Sequence, residues 1–71
     1  MSARFTCRIL RETDKALQIR QEIPNRHTTT AWIPRSQCKH IFKLPDDGKG
    51  SPATITTADW IIEEKGLIEN A

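Results

Sequence analysis

A chain of 71 residues, 37% apolar and 28% charged, with two Trp and two Phe, has the composition of one small globular core and excludes a disordered tail or several domains. No apolar run reaches the ~18 residues of a membrane span, and Met1-Ser2-Ala3-Arg4 lacks the apolar stretch of a secretory signal, so a chain without a membrane partner is expected. The net charge of +2 conceals two opposed halves: residues 1–43 carry nine Lys and Arg against three acids, residues 44–71 two Lys against six acids.

The first segment alternates, with Phe5, Cys7 and Ile9 pointing one way and Arg4, Thr6 and Arg8 the other, the period of a half-buried strand. Arg11-Glu12-Thr13-Asp14-Lys15 has turn chemistry, and Leu17 with Ile19 restores the alternation on a second strand, giving a hairpin. Pro24-Asn25-Arg26 breaks the pattern before a third strand at Thr29-Thr30-Ala31-Trp32-Ile33, where Trp32 is expected to anchor the core. Pro34 cannot donate to a ladder, so it belongs at a strand end, a bulge or a sheet edge. A fourth strand over His40-Ile41-Phe42-Lys43-Leu44 is expected to turn Phe42 and Leu44 inward. Residues 45–52, with two Pro and two Gly, form the clearest loop, read as a flexible connection because Gly48 and Gly50 lack the spacing of a phosphate-binding loop.

A C-terminal helix is expected within residues 56–66. Thr56 is its candidate N-cap with Asp59 in the capping-box position, and Ile55 with Trp60 forms a staple. Gly66 and Leu67 suit a Schellman close. So short a helix must dock on the sheet to persist, through Trp60, Ile61 and Ile62. The fold class is therefore α+β: one domain over 1–71, a small twisted antiparallel sheet of four or five strands, able to curl into a partial barrel, with one helix packed across it.

Signs of chemistry are sparse. Cys7, His27, Cys38 and His40 lack the paired spacing of a zinc site, and two Cys in so short a chain fall below the usual disulfide framework, so free thiols and no metal or other cofactor are expected. Ser36, His40 and Asp46 have no nucleophile-elbow context, so no catalytic residue is assigned and no enzymatic activity is expected. The outward face of the first hairpin carries Arg4, Thr6 and Arg8 beside Gln18 and Arg20, with Arg35, Lys39 and Lys43 in the same half of the chain. Guanidinium groups pair bidentately with phosphates, which makes Arg4, Arg8, Arg20, Arg35 and Lys39 candidate nucleic-acid-binding residues. A solvated basic surface with no ligand accounts for the same charges. Trp32-Ile33-Pro34-Arg35-Ser36-Gln37 reads either as a recognition loop beyond a strand or, more simply, as a strand end and turn.

Glu12-Thr13-Asp14-Lys15-Ala16, Trp32-Ile33-Pro34-Arg35-Ser36-Gln37, Ile55-Thr56-Thr57-Ala58-Asp59-Trp60 and Glu64-Lys65-Gly66-Leu67 together resemble a group of small, largely uncharacterised proteins encoded by bacteriophages, prophages and related mobile elements. About a third of the chain carries the likeness, and Ala58 stands where a Pro often opens the helix in that group. The resemblance implies a bacterial or phage cytoplasmic setting, in which small accessory proteins commonly bind nucleic acid or another protein. Two functions are expected on these grounds: a non-enzymatic accessory protein binding DNA or RNA through the basic sheet face, or a module that engages and modulates a host protein through a sheet edge or the acidic helix. A structural role as a homodimer is a third.

Overall fold

Period-two alternation builds the first strand as expected: in β1 (Ser2–Glu12) the side chains of Ala3, Phe5, Cys7 and Ile9 are buried, and Arg4 and Thr6 between them face solvent. The computed structural model describes residues 2–22 and 28–69, so Pro24, Asn25, Arg26 and His27 lie outside the described residues. Thr13 makes the first turn. Its hydroxyl accepts the Lys15 and Ala16 N–H groups at 3.3 and 3.0 Å, and its own N–H reaches Ala16 O at 2.9 Å. The chain returns as β2 (Ala16–Gln21), with Leu17 and Ile19 buried, and again as β3 (Thr29–Pro34), with Ile33 buried and Pro34 closing an edge strand. A single 3-10 turn at Arg35–Gln37 leads into β4 (Cys38–Lys43), and β5 (Ser51–Ala58) completes a five-stranded antiparallel sheet in the order β3-β2-β1-β5-β4.

Strand β5 lies where the sequence suggests only loop and helix start. Ala53, Ile55 and Thr57 alternate inward along it, and it pairs with both β1 and β4. The connection between β4 and β5 is consequently shorter than 45–52, spanning residues 44–50, and Thr56 and Thr57 belong to the sheet. The helix α1 is Asp59–Glu64, six residues, and Ala58 occupies its N-cap position with no side-chain hydrogen bond in place of the expected Thr56 cap. Extended pairing with β1 and β4 satisfies the backbone of 56–58 more fully than a first helical turn could. The far end follows expectation: Gly66 has φ +69°, Leu67 N–H reaches Ile62 O at 2.9 Å, and Gly66 N–H reaches Glu63 O at 3.3 Å, the paired bonds of a Schellman motif.

Two core assignments are overturned. Trp32 is 43% exposed, because its neighbour Ile33 takes the inward position, and Phe42 and Leu44 are 57% and 51% exposed. On β4 a bulge at Lys39 resets the parity, so that Cys38 and Ile41 turn toward the core and His40 and Phe42 turn out. Trp60 is likewise exposed, and Ile61 with Leu67 supplies the buried contact of the helical end. Phe5, Leu17, Ile19, Ile33, Ile55 and Ile61 are each excluded from solvent. Each such side chain contributes roughly 1.5–3 kcal/mol of transfer free energy.

The sheet must curl. Strands β3 and β4 are its two edges, four inter-strand steps or about 19 Å apart if flat. Only Arg35–Gln37 separates Pro34 from Cys38, a stretch that reaches at most about 14 Å fully extended. The Cys38 thiol in fact lies 3.5 Å from Pro34 O. Arg35 locks this corner: its N–H donates to Lys15 O at 2.8 Å, its Nε to Thr13 O at 2.7 Å, and its Nη2 to Glu12 at 3.1 Å. Lys43 at the end of β4 donates to the other Glu12 oxygen at 2.6 Å. Lys43 first, and Arg35 after it, hold the Glu12 carboxyl below its usual range.

β1 outruns β2: their ladder covers Arg8 to Glu12, and among the described residues no strand pairs with residues 2–7 on that side. Side chains and the C-terminal segment fill the gap. The buried Gln21 amide donates to Thr6 O at 3.1 Å and to Ile68 O at 2.8 Å while accepting Ile68 N–H at 2.8 Å, and the Glu69 carboxylate accepts Arg4 N–H at 3.4 Å. No described helix is long and apolar enough to cross a membrane.

Candidate functional site

Among the described residues α1 and Leu67 pack on the inner side of the sheet, and no helix covers the outer side, where Arg4, Thr6, His40 and Phe42 are exposed. Pairing registers fix what it displays. Arg4, Thr56 and His40 form one cross-strand row, Thr6, Thr54 and Phe42 the next, and Arg8 stands between Arg20 on one side and Pro52 on the other. On the β2 side Gln18 faces Trp32, and Arg20 faces Thr30. Among the described strand residues of this face none is acidic.

The five candidate basic residues separate into two groups. Arg4, Arg8 and Arg20 share the outer face. Arg35 sits at the corner where the edges meet, its guanidinium committed to Thr13 O and Glu12, and Lys39 is exposed at the β4 bulge. The three shared guanidiniums differ in their engagements. Arg8 Nη1 holds both oxygens of Asp47 at 2.8 and 3.0 Å, and Arg20 reaches Glu22 at 3.4 Å. The Arg4 guanidinium forms no ion pair among the described residues, though its backbone N–H meets Glu69. Arg20 Nε is buried with no hydrogen-bond partner among the described residues. Arg8, and next the Lys49 N–H, lowers the Asp47 carboxyl below its usual range.

The sequence reading missed the aromatic members of the face. Trp32 and Phe42 both present rings to solvent, and parity was the available signal: of the adjacent pair Trp32 and Ile33 only one can be inside, as of Ile41 and Phe42. Phe42 divides two shallow depressions, one lined by Arg4, His40, Thr54 and Thr56, the other by Thr6, Leu44, Pro52 and Thr54. Of the two thiols, Cys7 faces the core, where burial pushes it up to about 12, and burial raises Cys38 as well. Both therefore stay protonated at neutral pH and are poor nucleophiles and metal ligands.

The chain matches no protein-family model, no curated protein and no solved structure.

Proposed function

We propose that the protein is a non-enzymatic accessory protein that binds nucleic acid through the outer face of its sheet, in a bacterial or phage cytoplasmic setting. The observation that carries this reading is the registered placement of Arg8 beside Arg20, with Arg4 two pleat repeats away along β1, on a face whose described strand residues include no acid. Like charges directly opposite on neighbouring strands destabilise a sheet, and an anionic ligand offsets that cost. Arg4, Arg8 and Arg20 are the contact residues in this reading. Arg35 is withdrawn from the phosphate-binding role, since its donors already serve Thr13 and Glu12.

Fluorescence anisotropy with labelled DNA and RNA at low and near-physiological salt tests the proposal. Three neutralised phosphates give log K a slope of about −2 to −3 against log salt concentration, and Arg4→Ala with Arg20→Ala removes most of the affinity. Absence of binding at low salt defeats it.

A second reading rests on α1. Trp60 is 49% exposed and lies between Asp59 and the pair Glu63 and Glu64, an aromatic anchor in an acidic surround suited to a basic protein partner. Trp60→Ala abolishes a specific pull-down in that case and leaves nucleic-acid affinity unchanged.

A further inference from the structure

We infer that the ligand of the outer face is single-stranded, with two consecutive bases seated on either side of Phe42 and their phosphates held by Arg4 and Arg8. This rests on the proposed nucleic-acid function and specifies its substrate class.

Phe42 is the most exposed of the large apolar side chains among the described residues, on a strand where the inward position is taken by the aliphatic Ile41. A ring at 57% exposure in so small a protein costs solvation with nothing gained from the fold. Its row lies between the row of Arg4 and the row of Arg8, so the Cα of each arginine stands about 12 Å from that of Phe42, across two strands and two residues, within reach of a long side chain. A shallow depression lies on each side. The Arg4 side adds His40, a second flat ring, and the threonine hydroxyls of Thr54 and Thr56. The Arg8 side is walled by Pro52 and Leu44. A base needs a flat apolar surface and tolerates hydroxyl donors at its edge, while its phosphate needs a cation several ångströms off. In duplex nucleic acid the base faces are stacked on one another and cannot reach Phe42. Charge complementarity favours a polyanion over an apolar partner such as a lipid or a protein core, because any ligand covering Phe42 also covers Arg4 or Arg8.

The test compares three labelled probes of twelve units: single-stranded oligothymidylate, the corresponding duplex, and an abasic sugar-phosphate strand. The full chain is expected to bind the single strand about tenfold or more tighter than the abasic strand, the contribution of stacking. Phe42→Ala removes that preference while binding of the abasic strand persists, and Phe42→Trp restores it. Arg4→Ala weakens all three probes. Equal affinity for single and abasic strands, or a Phe42→Ala loss shared by all three, overturns the single-strand assignment and leaves phosphate binding standing. Binding to none of the probes at low salt overturns both readings together.

Discussion

Arg8 has two claimants. The Asp47 carboxylate grips its Nη1 with both oxygens, and Gly50 O lies 3.3 Å from the same nitrogen, so part of the cation that the proposed ligand would use is already engaged by the loop 44–50. Asp47 is held there by the local turn: Asp46 Oδ1 accepts the Gly48 N–H at 2.7 Å and Asp47 Oδ1 accepts the Lys49 N–H at 3.1 Å. The pair is largely solvated, so it adds little to stability. Its effect falls on binding, where a phosphate must displace the carboxylate. Asp47→Asn is expected to tighten binding of the single-stranded probe by about threefold to tenfold at low salt, because the phosphate at Arg8 no longer has to displace a carboxylate. Anisotropy titrations of the variant beside the unaltered chain measure it. An unchanged affinity would show that the ligand does not reach Arg8.

At the scale of the element, the glycines of that loop are not equivalent. Gly48 and Gly50 both have φ +100°, but a side chain on Gly48 meets nothing within 4 Å, whereas one on Gly50 would stand 3.0 Å from Ile9 O and 3.1 Å from the Leu10 side chain. Leu10 is the extra residue of a bulge in β1, and the chain can enter β5 beside that bulge only with a bare Cα at position 50. Gly48→Ala should cost about 1 kcal/mol, the backbone penalty alone, and Gly50→Ala about 2–3 kcal/mol, read from urea midpoints. Bulges also explain where the sequence was legible. The regular alternation of Phe5, Cys7 and Ile9, and of Leu17 and Ile19, places β1 and β2 and puts Arg4, Arg8 and Arg20 on the outer face without a structure. On β4 the bulge at Lys39 breaks the period, and a strand with a single strongly apolar inward residue, Ile41, offers no majority to vote against Phe42. On β5 the alternating set is Ala53, Ile55 and Thr57, one small, one large and one polar, and the Thr56 and Asp59 spacing mimics a helix cap. The commitment of Arg35 to Glu12 joins positions 23 residues apart, and that of Arg8 to Asp47 positions 39 apart, contacts that no local pattern announces.

For the whole molecule, one short turn brings the Pro34 end of β3 to the Cys38 start of β4 and the sheet presents Arg4, Arg8 and Arg20 outward, while four of the nine acids, Asp59, Glu63, Glu64 and Glu69, follow β5 on α1 and the terminal segment. The terminal segment has a second role through its contact with β1. Residues 2–7 have an apolar inner side and, among the described residues, no strand beside them on the β2 side, the sort of template onto which another chain adds a strand. The Gln21 amide engages Thr6 O and the Glu69 carboxylate the Arg4 N–H, while Ile68 holds the Gln21 side chain in place. A chain ending at Gly66 loses Leu67 from the core and uncovers that template, and it should sediment as dimers or larger species whose fraction grows with concentration, more so than the full chain. If the shortened chain sediments like the full one, the template is closed by other means. Gln21→Leu would then separate the two contributions, since it keeps the segment but removes the amide that ties it down. Leu67, Ile68 and Glu69 thus govern whether β-pairing stops within one molecule or propagates to the next.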